Sequence, residues 1–205
     1  MRARPVTPAV LVDELAARID SLPAARVAVD GAPSTAPQLL AEALIEPLRR
    51  SGRFALHVPS NGFLRAASLR FERGRTSADA FYEDWLDLRA LDREVLAPLT
   101  ADGGRVLPSL WDPVRDRATR APYVRVPPGG VVIVSGPLLL GAGLDFDLSV
   151  HLTQSPAALA RRVDPAAEWT LPAYERYDDE VMPSLIADVL VRADDPAHPA
   201  IVDER

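Results

Sequence analysis

The 205-residue chain contains no cysteine and no lysine. Without cysteine it has no disulfide, no thiol nucleophile and no zinc or iron–sulfur site built on thiolates. Without lysine it has no Schiff-base amine, no lysine general base, and none of the lysines with which most phosphate-binding loops hold a nucleotide. All 23 residues in the combined lysine and arginine count are therefore arginine.

Net positive charge and long apolar runs are also missing. The formal net charge is −6, which argues against nucleic acid and an anionic membrane surface as partners, because both need a clustered positive field. A small-molecule ligand or a protein partner is expected instead. The longest apolar stretch, residues 131–140, contains Ser135, Gly136 and Pro137 and is too short to span a bilayer. The first 20 residues lack the apolar segment of a signal peptide, so we predict a cytoplasmic protein.

The composition, with 48% hydrophobic and 25% charged residues, is typical of one globular domain, predicted over residues 1–205. Thr7 and Pro8 begin a predicted N-terminal helix over 8–22, because a hydroxyl cap and a proline at the first helical position favour a helix start. Strand, turn, helix and strand then form one predicted βαβ unit over 26–58. Its parts are a strand at 26–30, a turn at 31–37, a helix from Pro37 to about residue 51, and a strand at 54–58.

The rest of the chain continues the alternation of strands and helices. Residues 59–128 are predicted as a polar excursion that carries one helix over 79–99, and residues 131–202 as the central strand, a vestigial lid and the C-terminal part. Further elements are a buried strand at 131–134, a strand at 146–152, a helix at 155–162 capped by Ser155, a helix or strand over 183–190, and a tail at 201–202. This order predicts an α/β fold with a doubly wound, mostly parallel sheet flanked by helices.

The turn after the first strand stands where phosphate-binding loops occur, since amides at a helix N-terminus favour an anion. Such a loop follows the pattern G-x-x-x-x-G-K-[ST]. Starting at Gly31, the second glycine falls on Ala36, the lysine on Pro37 and the hydroxyl residue on Gln38. Pro33 and Pro37 also lack a backbone N–H. The pattern therefore predicts a loop that is poorly suited to phosphate, although Ser34 and Thr35 could still offer hydroxyls.

Several stretches, in this order and spacing, resemble the uridine kinase-like branch of the P-loop kinases over about residues 4–201. They are RVAVDGA at 26–32, SNGFLRAASLRFERGRTSADAFYEDWLDLRAL at 60–91, WDPVRD at 111–116, VVIVSGPLLL at 131–140, DLSVHLTQSPAALARRV at 147–163 and ADVLVRADDPAHPAI at 187–201. The resemblance implies a three-layer α/β/α fold. It also implies magnesium-dependent transfer of the γ-phosphoryl of ATP to a hydroxyl of a nucleoside or another small molecule.

Carried over residue by residue, the resemblance implies a degenerate site. Nucleotide contacts would fall on Gly31, Ser34, Thr35 and Gln38, and the family's proton-accepting Asp matches Asn61. An amide cannot accept that proton, because it has no suitable pKa near neutrality. The family's histidine in this segment matches Leu64, and its acidic residue at the end of the central strand matches Ser135. We therefore predict a pseudokinase that acts as a ligand-binding or regulatory protein, with no resident metal and no certain cofactor.

Two alternatives stay open. The chain could be an active phosphotransferase that uses ATP and magnesium, with arginines from residues 65–75 or 161–162 in place of lysine and a metal held through Ser34, Thr35, Asp30 or Asp112. It could also be an enzyme of different chemistry in the old acceptor cleft. The candidate substrate-binding residues are Arg65, Arg70, Arg73, Arg75, Asp112 and Arg161, which solvated surface positions would explain equally well.

Aromatic and histidine side chains were expected mainly in the core. We interpret His57 and His151 as packing residues in or near strands. Tyr174 and Tyr177 are three residues apart on one helical face, where they would pack, stack on a base or line a partner surface. The resemblance also allows oligomers, although no exposed apolar stripe requires them.

Overall fold

The computed structural model describes residues 2–203, which form eleven strands and eight α-helices. The strands are β1 (Arg2–Pro5), β2 (Ala25–Gly31), β3 (Ala55–Pro59), β4 (Gly104–Val106), β5 (Trp111–Asp112), β6 (Arg117–Ala118), β7 (Val124–Val126), β8 (Val131–Gly136), β9 (Leu148–Thr153), β10 (Val189–Arg192) and β11 (Ala200–Asp203). The helices are α1 (Pro8–Asp20), α2 (Pro37–Arg50), α3 (Ala67–Arg70), α4 (Ala78–Glu83), α5 (Leu88–Leu91), α6 (Pro156–Arg162), α7 (Leu171–Glu180) and α8 (Pro183–Ile186).

Seven strands form the central sheet in the order β1-β11-β10-β9-β2-β8-β3. The five strands from β10 to β3 are parallel, and β11 and β1 extend one edge in antiparallel pairing. Helices α1 and α2 cover one face of this sheet, while α5 and the segments around it cover the other. The predicted mostly parallel sheet flanked by helices is confirmed as a three-layer α/β/α arrangement.

Burial matches the interior positions of β2 and β8, neither of which is an edge strand of the sheet. Every residue of β8, Val131–Gly136, is buried, and the β-branched side chains of Val131 and Ile133 face one core while those of Val132 and Val134 face the other. Such continuous apolar runs are typical of strands covered on both faces. Asp30 and Ser135 are the polar exceptions at the ends of β2 and β8, both fully buried.

The helix starts follow the caps that the sequence offers. The Thr7 hydroxyl accepts a hydrogen bond from the Val10 amide, and the Ser155 hydroxyl accepts one from the Ala158 amide. Helix α1 ends at Asp20 and not at the predicted residue 22. No helix within residues 2–203 is both long and apolar enough to cross a membrane.

The single helix predicted over 79–99 is wrong. The chain there forms α4, an interruption over 84–87, α5 and a π-helical turn over Asp92–Leu96. The interruption has two causes in the structure: Leu64 and Leu86 form an antiparallel bridge, and the Asp87 side chain caps α5 by accepting from the Ala90 amide. Residues 102–128, expected as turns, form two small hairpins, β4 with β7 and β5 with β6. Strand β1 was not predicted.

Candidate functional site

The carboxyl ends of the parallel strands meet at one edge of the sheet, where ligands bind in open α/β folds. Register places Asp30 of β2 beside Gly136 of β8 and beside His151 of β9. Strand β3 ends one strand further along, with Pro59 beside Ser135. The loop from Gly31 to Pro37 follows β2 at this edge, in the position where phosphate-binding loops occur.

The backbone of this loop is folded onto itself. Residues Pro33–Thr35 form a 3₁₀ turn, in which the Thr35 amide donates to the Ala32 carbonyl at 2.9 Å and the Ala36 amide donates to the Pro33 carbonyl at 3.0 Å. Pro33 and Pro37 have no N–H to donate. Of the six residues from Ala32 to Pro37, four therefore offer no amide N–H to a ligand. Pro33 and Pro37 have none, and those of Thr35 and Ala36 are already bound.

The two loop hydroxyls are also bound within the protein. The Ser34 hydroxyl donates to Gln154 Oε1 at 2.7 Å, and the Thr35 hydroxyl donates to the Ala32 carbonyl at 2.7 Å. Gly31 is closely packed, because a Cβ there would lie 2.5 Å from Thr35 Oγ1 and 3.0 Å from Leu152. Only glycine fits at position 31 in this conformation.

Ala36 adopts a left-handed conformation, with φ of 57° and ψ of 50°. It stands at the position that the loop pattern gives to its second glycine, and a Cβ in this region costs roughly 1–2 kcal/mol. Pro37 follows as the first residue of α2, where the fixed φ of proline suits a helix start. The backbone thus enters α2 through a left-handed residue, and an alanine occupies this strained position, which the loop pattern gives to glycine.

A buried hydrogen-bonded network surrounds Asp30 just below the loop. Oδ2 of Asp30 accepts from His151 Nδ1 at 2.7 Å and from the Tyr177 hydroxyl at 3.0 Å, and Oδ1 accepts from the Leu139 amide at 2.9 Å. The Tyr177 oxygen in turn accepts from the Leu140 amide at 2.9 Å. Burial, and then the Asp30 charge, raise the pKa of Tyr177 above its usual range. The network joins β2, β9, α7 and the segment after β8.

The sequence interpretation of His151 as a packing residue missed its pairing with the Asp30 carboxylate. The two residues are 121 positions apart, so no local pattern joins them. The helical spacing of Tyr174 and Tyr177 was the sequence signal that could have indicated this network, since both are buried and both face the sheet edge from α7.

A second histidine lies on the other face of the sheet. His57 Nε2 is 2.7 Å from Ser135 Oγ, and its Nδ1 is 4.0 Å from Glu42 of α2. Burial lowers the pKa of His57, and the Glu42 charge partly opposes that shift. Ser135 is fully buried, which makes this pair part of the packing between β3, β8 and α2.

A cavity of about 260 Å³ opens beside the loop. The structure brings Gln38 and Asn61 together in its wall, with Ser60 between the strand end and Asn61. Most of the remaining lining is apolar or aromatic: Pro33, Leu64, Phe81, Tyr82, Trp85, Leu86, Leu88, Pro137 and Leu138, with Glu83 as the charged exception. We call this space the aromatic cavity.

Helix α7 and the turn before it pack on α4, three residues of which line the aromatic cavity. The Trp169 ring centroid lies 5.8 Å from that of Phe81 and 5.3 Å from that of Trp85. Arg176 Nη1 lies 2.7 Å from Glu83, and the Arg176 guanidinium lies 4.4 Å from the Tyr82 ring centroid. The turn before α7 and α7 itself therefore contact the excursion directly.

Two of the candidate arginines pair with carboxylates at the end of α4. Arg65 lies 3.5 Å from Asp84, and Arg73 contacts both Glu83, at 2.8 Å, and Asp84. The Glu83 and Asp84 carboxylates partly offset their charge. Neither arginine lines the aromatic cavity.

Arg70 and Arg75 pack on aromatic rings. Arg70 is buried, its Nε donates to the Arg65 carbonyl at 2.7 Å, and its guanidinium lies 4.9 Å from the Phe71 ring and 5.1 Å from the Trp85 ring. Arg75 lies 4.8 Å from the same Phe71 ring. Neither arginine lines the aromatic cavity, although Arg70 packs on Trp85 of its wall.

Asp112 and Arg161 lie on other parts of the surface. The Asp112 carboxylate accepts from the amides of Val114 and Arg115 at 3.0 Å and lines a surface cavity on the β5–β6 hairpin. Those two amide bonds lower its pKa, the Arg115 amide being the larger cause. Arg161 is exposed in the last turn of α6. The structure brings neither residue to the wall that holds Asn61.

Comparison with solved structures shows which known folds this arrangement matches. The chain is similar to a possible uridine kinase from Bacillus stearothermophilus, with a TM-score of 0.70 and 17% identity over 87% of this chain and 96% of that chain. It is also similar to a candidate fructose transport system kinase from Silicibacter sp. TM1040, with a TM-score of 0.59 and 25% identity over 82% of this chain and 95% of that chain. No protein-family model and no curated protein sequence matches the chain. The fold is that of P-loop kinases.

Proposed function

We propose that this chain is a uridine kinase-like protein that has lost ATP-dependent phosphoryl transfer and binds a small molecule in the aromatic cavity as a sensor or regulatory subunit. The observation that carries the proposal is the loop from Gly31 to Pro37. Because of its prolines and its 3₁₀ turn, four of its residues offer no amide N–H to a ligand. The chain also has no lysine that could bind a phosphate in their place.

A triphosphate with magnesium does not fit these residues. Phosphoryl transfer depends on positioning and on charge stabilisation, so the loss of amides and of a cation removes its main contributions. The Ser34 and Thr35 hydroxyls are bound to protein acceptors. Asp30 already accepts three hydrogen bonds within the protein, which leaves its carboxylate about one further acceptor site.

The residue that the resemblance assigns to proton transfer is also unsuited to it. Asn61 stands in the cavity wall where the resemblance implies a proton acceptor, and an amide cannot take up a proton near neutral pH. Its oxygen and nitrogen, with those of Gln38, can still fix the orientation of a bound molecule by accepting and donating hydrogen bonds.

The lining favours a small, planar, uncharged ligand. Ligand sites are commonly apolar and aromatic with a few polar groups that set orientation. The rings of Phe81, Tyr82 and Trp85 provide the apolar surface, and the two amides provide the polar groups. A nucleoside or a heterocycle of similar size meets these requirements.

The experiment compares ligands by thermal shift and by turnover. A ligand at 100 times its dissociation constant stabilises the native state by about 2.7 kcal/mol, so nucleosides should raise Tm while ATP with magnesium should not. Gln38→Ala should weaken the nucleoside response. Glu46→Ala, at an exposed position on the same helix and outside the cavity wall, should leave it unchanged.

Turnover of ATP with any nucleoside at ordinary kinase rates of about 1–100 per second would establish the active phosphotransferase and overturn the proposal. A protein that responds to no small molecule would contradict the ligand-binding part. Rebuilding the loop with Ala36→Gly, Pro37→Lys and Gln38→Thr should restore an increase in Tm with ATP if the loop has lost only its hydrogen-bond donors and its lysine.

A further inference from the structure

The turn after β8, residues 136–140, lies between two cavities. One is the aromatic cavity, whose lining includes Pro137 and Leu138. The other is a space of about 30 Å³ beneath the loop, lined in part by Asp30 and Tyr177. Among residues 2–203, Leu138 is the one residue that the two linings share. Its side chain therefore separates the aromatic cavity from the buried network around Asp30.

Leu138 adopts a backbone conformation that leucine rarely takes. Its φ is 60°, which is the left-handed region, where the Cβ of an L-residue comes too close to the following carbonyl oxygen. For a bulky residue this conformation is a genuine outlier, and it persists only where surrounding contacts hold it. Outliers of this kind cluster at ligand sites and switch regions, and Leu138 lies in the wall of the aromatic cavity.

The two residues after Leu138 make the contacts that hold it. The Leu139 amide donates to Asp30 Oδ1 at 2.9 Å, and the Leu140 amide donates to the Tyr177 hydroxyl at 2.9 Å. Both bonds are buried, and the Tyr177 hydroxyl in turn donates to Asp30 Oδ2 at 3.0 Å. A buried amide that loses its acceptor keeps the cost of its desolvation, so the turn cannot relax without a penalty.

Close packing fixes the other end of the turn. A Cβ on Gly136 would overlap the hydroxyl of Ser60, which itself belongs to the wall of the aromatic cavity. Pro137 follows, and its ring fixes φ. Leu138 and Tyr82, both from the cavity wall, pack against the same buried apolar cluster. With both ends of the turn held, the Leu138 side chain has one place in the wall.

We propose that Leu138 sets the upper size of the ligand that the aromatic cavity accepts, and that Asp30 and Tyr177 are the positioning residues that hold it. Held in this way, the leucine side chain closes the cavity toward the space beneath the loop and leaves a volume of about 260 Å³. An apolar cavity of about 150 Å³ takes a benzene ring, so one further ring in a ligand fills a large share of this space. The inference rests on the proposed binding of a planar ligand in this cavity.

Calorimetric binding of uridine and adenosine, whose bases differ by one ring, tests the proposal at a temperature where circular dichroism shows every variant folded. Leu138→Ala opens the cavity toward the space beneath the loop, so the ratio of adenosine to uridine affinity should rise at least about tenfold, as one methylene can achieve in an apolar pocket. Tyr177→Phe lies outside the cavity wall and should raise the same ratio by a smaller factor, because it frees the Leu140 amide. Leu40→Ala shortens another half-buried leucine, on α2 and outside this wall, and should leave the ratio unchanged.

Three outcomes of this comparison would overturn the proposal. An affinity ratio that Leu138→Ala leaves unchanged would show that the leucine sets no size limit. A ratio that changes in Leu138→Ala but not in Tyr177→Phe would remove the positioning role of the network. An equal rise in Leu40→Ala would trace the effect to a general loosening of the fold.

If neither nucleoside binds the unaltered chain, the proposed function fails, and a second measurement still decides the role of Leu138. Because the chain has no cysteine, Ser60→Cys places a single thiol in the wall of the aromatic cavity. Labelling by methyl and by benzyl methanethiosulfonate compares a small reagent with one that carries a ring. Leu138→Ala should raise the rate with the benzyl reagent several-fold relative to the rate with the methyl reagent. Equal changes in the two rates would overturn the size limit without reference to any ligand.

Discussion

Replacing Ala36 by glycine should stabilise the protein. Ala36 is left-handed, with φ of 57°, and its Cβ costs roughly 1–2 kcal/mol in that region. Glycine removes this cost but has more freedom in the unfolded chain, a penalty of roughly 0.5–1 kcal/mol. The difference predicts a gain of about 0.5–1 kcal/mol, which corresponds to an increase in Tm of about 1–4 °C for a chain of this length.

Urea unfolding measures this gain, and Ala43→Gly is its matched control. Ala43 lies on the exposed side of α2 in ordinary helical conformation, so the same substitution there should cost about 1 kcal/mol. The two variants should therefore shift the unfolding midpoint in opposite directions with the same m-value. If Ala36→Gly destabilises as Ala43→Gly does, position 36 is not left-handed, and our description of the loop is refuted.

Two further predictions concern the network around Asp30. Tyr177→Phe leaves the buried Leu140 amide without its acceptor and should lower the free energy of unfolding by about 1–3 kcal/mol; a loss below about 0.5 kcal/mol would mean that water replaces the hydroxyl. Burial raises the pKa of Tyr174 and of Tyr177 above the usual value of about 10. Each of these two tyrosines thus keeps a proton in the native state that the unfolded chain releases, so its contribution to stability is complete below about pH 10 and falls above it by about 1.4 kcal/mol per pH unit. Urea unfolding above about pH 10 should show a slope smaller by up to about 1.4 kcal/mol per pH unit in Tyr174→Phe, and an unchanged slope would contradict the assignment.

The parts of the fold that the sequence predicted are those fixed by local chemistry. Thr7 and Ser155 begin helices because their hydroxyls accept from amides three residues later. The β-branched run at 131–134 becomes a buried strand because continuous apolar side chains suit a strand that is covered on both faces. Pro37 begins α2 for the reason expected, its fixed φ.

The errors occur where distant residues decide the structure. Apolar spacing over 79–99 is helical, yet Trp85 packs between Phe81 and Trp169, the latter from the turn before α7. The chain interrupts its helix close to that contact. In the candidate site, the pairing of His151 with Asp30 depends on neighbouring strands and has no local signal.

Pro37 shows why the fold can persist while the loop changes. The proline ring removes one amide N–H from the loop and also presets the backbone for the first turn of α2. The buried face of that helix consists of Ala41, Leu44 and Leu48, which pack on the sheet without any contribution from the loop. Stability therefore does not require the residues that hold a nucleotide. Under the proposed function the loop does not bind phosphate, and it can therefore accept a proline at the helix start and an alanine at a strained position.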